Sequence, residues 1–218
     1  MTNAPSPMGA VLLASGGMDS TTLAYELVAT GTIFTPLFID YGQHCRDTEQ
    51  TTALSVLPKA ALQRLTVIRL SDVYVGSRSR LIEPADLWTT QIAADDLYLP
   101  YRSLLLLSVG AAYAQAHGCT DLYAAFINSN HAHEIDCTTE FFDKLSAVLA
   151  GFGGVRVMLP YRNLTKLEVL KLALELGAPV EQTYSCQASP NVPCGACPNC
   201  VDRLEAIALL HQATSLVQ

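Results

Sequence analysis

The chain alternates short apolar runs with segments of helical spacing, and this alternation constrains its fold more than any other feature. Gly9 to Ala14 is an apolar run, a turn with two glycines follows, and residues 19–30 then place apolar side chains at helical intervals. Further apolar runs occupy residues 33–39, 65–70, 121–127 and 155–159. Strands that alternate with helices require right-handed crossovers and pair in parallel. We therefore predict an α/β fold with a doubly wound, mostly parallel sheet.

Helices are expected in the intervals between these strands. The segments with helical signals are residues 47–57, 100–116, 138–149, 165–177 and 202–213. Pro100 suits the first turn of a long helix, and Thr165 with Glu168 matches a capping box. Residues 71–98 are less periodic, so we predict an insertion or lid there.

Length and charge limit the class of protein. The 218 residues include 13 Lys and Arg against 20 Asp and Glu, which gives a net charge of −7, and half of the residues are hydrophobic. These values suit one globular domain with an appendage, which we place at residues 1–180 and 181–218. Because the chain lacks the excess of Lys and Arg with which proteins bind phosphate backbones, nucleic acid is not an expected partner.

Neither a membrane span nor a secretion signal is evident. No uninterrupted apolar run reaches the roughly 18 residues of a membrane helix, and Met1 to Met8 contains no Lys or Arg to begin a signal peptide. Of the seven cysteines, four lie between Cys186 and Cys200, a distribution that suits a reducing compartment and a metal cluster better than disulfides. We expect a cytoplasmic protein with no membrane partner.

The loop after the first apolar run has the composition of an anion-binding site. Two glycines between a strand and a helix present bare backbone N–H groups at the positive end of the helix, where phosphate oxygens can approach. Hydroxyls add donors, and a carboxylate can hold the magnesium ion of a polyphosphate. An ordinary capped turn has similar spacing. The residues expected to bind nucleotide are Ala14, Ser15, Gly16, Gly17, Met18, Asp19, Ser20, Thr21 and Thr22.

This loop also carries a resemblance. Ser-Gly-Gly-x-Asp-Ser after an N-terminal strand resembles the signature of the PP-loop ATP pyrophosphatases. Members of that group bind ATP on the loop, adenylate a carboxylate or carbonyl oxygen with loss of pyrophosphate, and let an amine or sulfur nucleophile displace AMP. The resemblance implies an adenine nucleotide alpha hydrolase-like, Rossmann-like fold.

Four cysteines near the end of the chain have metal-ligand spacing. Cys186, Cys194, Cys197 and Cys200 supply four soft ligands, which favour a tetrahedral Zn²⁺ site without an open position. We predict a structural zinc site in a small C-terminal extension. An iron–sulfur cluster is the main alternative, since four cysteines suit both groups. Unrelated thiols or two disulfides are a further alternative.

Together, the N-terminal loop and the four cysteines resemble the QueC-like 7-cyano-7-deazaguanine synthases over nearly the full length. The segments that carry the resemblance are Asp40-Tyr41-Gly42-Gln43, Leu99-Pro100-Tyr101-Arg102, Asp136-Cys137, Leu164-Thr165-Lys166-x-Glu168 and Tyr184-Ser185-Cys186. It implies conversion of 7-carboxy-7-deazaguanine, ATP and ammonia through an amide to the nitrile. The implied partners are a deazapurine carboxylate and an amine donor, and the implied cofactors are ATP, Mg²⁺ and Zn²⁺.

The resemblance also implies roles for individual residues. Ser15, Asp19, Ser20 and Lys166 are expected to take part in catalysis, with Lys166 at the departing pyrophosphate. Asp40 and Gln43 follow the second strand and are expected to face ATP. The expected substrate-binding residues are Tyr41, Arg102, Asn128, His131, His133 and Asp136.

Departures from the family pattern leave the acceptor and product open. The pattern has an arginine directly after the cysteine that matches Cys137, whereas this chain has Thr138, and His131 and His133 change the charge of the same segment. The two histidines could alternatively form a second metal site or a proton shuttle. One alternative function is therefore a QueC-like ligase that joins the deazaguanine acid to another amine, on a protein for example, and stops at the amide.

Two further alternatives concern the class of function. A PP-loop enzyme that thiolates tRNA would share the loop, but the acidic charge argues against it. A non-catalytic nucleotide-binding module would have no need for the magnesium ligand Asp19. The apolar stripe from Leu104 to Ala112 is expected to be core or the face of a homodimer.

Overall fold

The computed structural model describes residues 9–85, 92–93, 95–127 and 137–215. Within them, five strands form one parallel sheet in the order β3-β2-β1-β4-β5. The strands are β1 (Ala10–Leu13), β2 (Phe34–Asp40), β3 (Thr66–Arg69), β4 (Asp121–Tyr123) and β5 (Arg156–Met158). The strand order reverses direction between β1 and β4, and ligands of open α/β sheets bind outside the carboxyl ends of the strands at such a point.

Helices connect the strands and cover both faces of the sheet. They are α1 (Met18–Ala29), α2 (Arg46–Val56), α3 (Lys59–Leu62), α4 (Arg102–Ala116), α5 (Thr139–Gly153), α6 (Lys166–Glu175) and α7 (Pro198–Ser215). Short 3₁₀ helices lie at Asp95–Leu97 and Val180–Gln182. The predicted doubly wound parallel α/β fold is therefore confirmed.

Neighbouring residues of β1 send their side chains into two separate cores. Leu12 packs with Leu23 of α1 and Val169 of α6 on one face, whereas Val11 packs with Leu107 of α4 and Phe142 of α5 on the other. This division follows from the alternation of side chains along a strand. Because both faces of the central strand are covered, its sequence is continuously apolar.

Several element boundaries differ from the sequence-based prediction. The helix α4 begins at Arg102, and Tyr101 before it adopts a left-handed conformation with φ of 56°, so Pro100 precedes the helix. The helix α7 begins at Pro198, four residues before the expected Asp202, because proline is favoured at the first helical position. The capping box of α6 is confirmed, since Thr165 and Glu168 hydrogen-bond reciprocally.

The cysteine segment packs against the body of the chain. Cys186, Cys197 and Cys200 belong to a buried cluster that also contains Tyr41 and Leu99. The division at residue 180 remains a prediction. Among the described residues, no helix combines the length and apolar character needed to cross a bilayer.

Candidate active site

One pocket opens at the carboxyl ends of β1, β2 and β4. Its cavity volume is about 290 Å³. The walls come from the loop after β1, the end of β2, the start of α4, the segment after β4, the start of α6 and the cysteine segment with the start of α7. These segments are distant in the sequence, so the sheet topology brings them together.

The loop between β1 and α1 depends on Gly16. This residue has φ of +77°, and a Cβ atom there would lie 2.7 Å from both the Ala53 nitrogen and the Glu49 carbonyl oxygen of α2. The left-handed conformation and the close approach of α2 each favour glycine. Glycine at this position therefore lets the loop pack directly on α2.

Two serine hydroxyls brace the loop at the N-terminus of α1. The Ser15 and Ser20 Oγ atoms lie 3.2 Å apart, and the Ser20 hydroxyl lies 3.2 Å from the Gly17 carbonyl oxygen, to which it donates. Gly17 is the N-cap of α1 and supplies no side chain to bond the first amides. An anion can accept those amide N–H groups.

The rest of the predicted nucleotide loop is buried. Met18, Thr21 and Thr22 are each at most 1% exposed, and the Thr22 hydroxyl donates to the Met18 carbonyl at 2.8 Å. Among the described residues, Thr21 Oγ1 is buried without a hydrogen-bond partner. Ala14, also buried, lines the pocket with Ser15, Gly17, Asp19 and Ser20.

Asp19 and Lys166 form an ion pair at the pocket wall. Lys166 Nζ lies 2.8 Å and 2.7 Å from the two carboxylate oxygens of Asp19. The Asp19 side chain is 23% exposed and the Lys166 side chain 13%, so the pair is largely shielded from solvent but remains accessible from the pocket. A carboxylate and an ammonium group therefore meet where the N-termini of α1 and α6 approach each other.

Asp40 and Gln43, the two residues expected to face ATP at the end of β2, have different surroundings. Asp40 is buried, accepts a hydrogen bond from the Gly42 nitrogen at 3.0 Å and pairs with Arg46 at 3.3 Å. It closes the turn and is not among the described residues that line the pocket. Gln43 lines the pocket, and its amide is held by Tyr41 and Glu49.

Tyr41 and Arg102 lie together in the pocket, as the sequence-based assignment to one substrate site requires. Burial raises the pKa of the Tyr41 hydroxyl, while the Arg102 guanidinium counteracts that rise. Tyr41 is therefore neutral, and Arg102 supplies positive charge at this wall. Asn128, His131, His133 and Asp136 lie outside the described residues.

The structure adds polar pocket residues that sequence reasoning missed. They are Glu49 on α2, Ser185 and Gln187 before the cysteine cluster, and Asn199 and Asp202 on α7. Asn199 and Asp202 lie on either side of Cys200 and three positions apart, which places them on one helix face. That spacing would have indicated a shared face if the early start of α7 had been recognised.

The four cysteines converge as predicted from their spacing. All four sulfur atoms lie within 4.8 Å of one another, and every one of these cysteines is a free thiol. Backbone amides of Cys197 and Ala196 donate to Cys194 Sγ at 3.2 Å and 3.4 Å. Hydrogen bonds from Cys197 and Cys200 lower the pKa of the Cys186 thiol. The cluster could hold a metal ion.

The cysteine segment is hydrogen-bonded to the loop between β1 and α1. The Tyr184 nitrogen donates to the Gly16 carbonyl oxygen at 3.1 Å. His44 Nε2 lies 3.0 Å from the Gln187 carbonyl oxygen, and the Thr48 hydroxyl donates to the Pro190 carbonyl oxygen. The segment that carries the cysteines therefore also forms one wall of the pocket.

Comparisons with known proteins by family and by sequence point to one family. Residues 9–211 match the family described as queuosine biosynthesis protein QueC. A 7-cyano-7-deazaguanine synthase of Methanospirillum hungatei is 34% identical over 207 residues, which cover 91% of this chain and 94% of that protein. A protein of the same name from Nostoc punctiforme is 32% identical over 224 residues, which cover 96% and 99%.

A solved structure shares the fold. The crystal structure of a 4-thiouridine synthetase–RNA complex with bound ATP aligns with a TM-score of 0.53 at 16% identity, covering 95% of this chain and 53% of that one. The family match extends from β1 through most of α7, and so includes the whole pocket and all four cysteines. The chain belongs to the QueC family of queuosine biosynthesis proteins.

Proposed function

We propose that the protein uses ATP to activate 7-carboxy-7-deazaguanine and joins it to ammonia, giving 7-cyano-7-deazaguanine through the amide. The relatives named 7-cyano-7-deazaguanine synthase support this substrate and product. One observation carries the proposal. The glycine loop after β1 and the Asp19–Lys166 pair line the same pocket as Arg102. The expected phosphate site at the N-terminus of α1 and the Arg102 guanidinium therefore share one cavity.

ATP would bind with its phosphates at the N-terminus of α1. The free amides after Gly17 and the hydroxyls of Ser15 and Ser20 supply hydrogen-bond donors for phosphate oxygens. Asp19 would hold Mg²⁺, which would neutralise charge on the phosphates. Lys166 would then donate to the pyrophosphate as it leaves, because its ammonium group already lies at this loop.

The substrate would bind toward Arg102, which offers a fixed cation for a carboxylate. A carboxylate resists attack by amines because it is negatively charged and lacks a good leaving group. Attack of its oxygen on the α-phosphorus of ATP forms an acyl-adenylate and releases pyrophosphate. Ammonia then forms the C–N bond, and AMP leaves with the electron pair of the C–O bond. A second adenylation, now of the amide oxygen, followed by loss of AMP and two protons, gives the nitrile.

The four cysteines would hold one structural Zn²⁺. Tetrahedral zinc with bonds of about 2.3 Å places its sulfur ligands about 3.8 Å apart, and the sulfur atoms here lie within 4.8 Å of one another. This spacing supports a single ion better than an iron–sulfur cluster, whose cysteines bind separate iron atoms. With four protein ligands, the ion would stabilise the pocket wall and take no part in the reaction.

One observation supports the amide-forming ligase as a second candidate. Where the family pattern has arginine after Cys137, Thr138 caps α5, and its hydroxyl accepts from the Phe141 nitrogen at 3.2 Å. This side chain is committed to the helix and supplies no cation to the substrate. The acceptor could therefore differ from ammonia, and a protein amine is one such acceptor.

Product mass distinguishes the two candidates. Purified protein would be incubated with ATP, 7-carboxy-7-deazaguanine and ¹⁵N-ammonium, and the products weighed by mass spectrometry. The proposal predicts the nitrile with one ¹⁵N atom and release of AMP. An accumulating amide that is never converted to nitrile would reject the nitrile synthase and support the second candidate.

A further inference from the structure

Glu49 is an acidic residue of the pocket to which the steps above assign no role. It lies in the first turn of α2, is partly buried and lines the same cavity as Arg102 and Lys166. Its backbone carbonyl oxygen lies close to Gly16, so the residue is next to the nucleotide loop. Glu49 therefore lies beside the loop expected to bind phosphate, in the cavity that also contains Arg102 of the expected substrate site.

Gln43 holds the Glu49 carboxylate in position. The Gln43 carbonyl oxygen accepts from the Tyr41 nitrogen at 2.9 Å, which fixes the orientation of the amide. Its nitrogen then donates to the Ile39 carbonyl at 3.3 Å and to Glu49 Oε2 at 3.0 Å. Both polar side-chain atoms of Gln43 are thus used within the protein, which makes it a positioning residue for Glu49. Within the described residues, Gln43 is the hydrogen-bond partner of the Glu49 side chain.

The charges around Glu49 set its proton affinity. The net effect raises its pKa from 4.5 to about 7, because removal from water raises the pKa by more than the Gln43 hydrogen bond and the Arg102 guanidinium lower it. Tyr41 and Cys45 also face it, and the pKa values of both are raised, chiefly by burial. Near neutral pH this carboxylate can therefore both accept and release a proton, as a general base must.

We propose that Glu49 is the general base that accepts a proton from ammonium and delivers ammonia to the activated substrate. This proposal depends on the proposed function, because it needs an acyl-adenylate in the same pocket. Ammonium has no lone pair and cannot attack carbon. One N–H bond breaks as its proton moves to Glu49, and the freed lone pair forms the C–N bond. The bond to AMP then breaks, and the second proton released during amide formation passes to solvent.

The test compares two nucleophiles in two matched variants. Glu49→Gln keeps an oxygen that can accept from Gln43 but cannot take up a proton. Asp47→Asn removes the same charge from the same helix, and its side chain is 85% exposed. Hydroxylamine is the second nucleophile, because it is largely uncharged at neutral pH and needs no deprotonation before attack. Formation of the amide and of the hydroxamate would be measured by mass spectrometry.

We expect Glu49→Gln to slow amide formation from ammonium by about 100-fold and to leave hydroxamate formation unchanged. Asp47→Asn should resemble the wild type with both nucleophiles. An equal loss with ammonium and hydroxylamine in Glu49→Gln would overturn the proposal, as would an unchanged rate with ammonium.

Exchange of pyrophosphate into ATP, stimulated by the deazaguanine acid, separates failure of the Glu49 proposal from failure of the proposed function. This reaction needs adenylation but no amine. Exchange that is normal in Glu49→Gln, together with the selective loss with ammonium, supports the general base. Wild-type protein without acid-dependent exchange would instead reject the proposed function and, with it, the role of Glu49.

Discussion

Lys166 Nζ lies 2.7 Å and 2.8 Å from the two carboxylate oxygens of Asp19, although 147 positions separate the residues in the sequence. Asp19 lies in the first turn of α1, and Lys166 is the first residue of α6. Packing of α1 against α6 on one sheet face brings the two charges together at the end of the pocket formed by the loop after β1. A cation is thus already in place at the loop that we propose binds the triphosphate of ATP.

Replacing Lys166 tests this arrangement. Lys166→Met should reduce acid-dependent pyrophosphate release by about 100-fold, because it removes a preorganised cation from the leaving group. Lys144→Met is the matched control, since the Lys144 side chain is 75% exposed and pairs with Glu140 at the surface. Its release rate should be unchanged. Equal rates for the wild type and Lys166→Met would contradict the assignment.

Substitution of Gly16 should damage both stability and nucleotide binding. An added Cβ meets backbone atoms of α2 at 2.7 Å in a conformation with φ of +77°. Gly31 also has positive φ, of +74°, but nothing lies within 4 Å of the added carbon. Gly31→Ala should therefore cost only the conformational strain, about 1–2 kcal/mol, whereas Gly16→Ala should cost more and weaken ATP binding.

Thermal unfolding and calorimetric titration with ATP would measure the two effects. In a chain of this size, 1 kcal/mol corresponds to about 2–4 °C in melting temperature. Similar melting temperatures and equal ATP affinity in the two glycine variants would show that contact with α2 does not constrain the loop.

The raised pKa of Glu49 predicts a stability difference that depends on pH. Its pKa rises from 4.5 to about 7 on folding, so between these values the folded protein keeps a proton that the unfolded chain has released. The free energy of unfolding therefore loses a contribution as pH increases through this range. Glu49→Gln, which is always neutral, should match the wild type at pH 4 and be more stable than it at pH 8.

Urea unfolding at both pH values checks this expectation. Asp47→Asn serves again as the control, because its exposed side chain should shift the curve little at either pH. A stability difference between wild type and Glu49→Gln that is the same at both pH values would show that the carboxylate is not desolvated.

Loss of the metal should disturb the pocket as well as the cluster. We expect about one zinc ion per chain, measured by inductively coupled plasma mass spectrometry. Cys197→Ser should lower that content and increase hydrogen exchange from Thr183 to Gln187, because this segment joins the cluster to the Gly16 loop. Cys119→Ala, at a buried thiol outside the cluster, should keep the zinc. Iron in place of zinc, or unchanged exchange in Cys197→Ser, would contradict this prediction.

The elements with local signals were predictable from the sequence. The alternation of apolar runs with helical spacing predicted all five strands, and the glycine loop and the capping box predicted where α1 and α6 begin. The cysteine spacing predicted convergence of the four sulfur atoms. In each case, the responsible residues lie within a few positions of one another.

Features that depend on long-range packing were not predictable in this way. Glu49 enters the pocket because α2 packs on the loop between β1 and α1, and the sequence shows only an acidic residue in a polar helix. Pairing of Lys166 with Asp19 requires that α1 and α6 share a sheet face. Tyr101 adopts positive φ without being glycine, so its residue type does not indicate the delayed start of α4.

The most direct test of the account is exchange of labelled pyrophosphate into ATP by the purified, metal-replete protein. With Mg²⁺ and without any amine, 7-carboxy-7-deazaguanine should stimulate exchange, and the stimulation should be lost in Asp19→Asn. Exchange that does not respond to the acid, with no pyrophosphate released when ammonium is added, would contradict the claim that this loop activates a deazaguanine carboxylate.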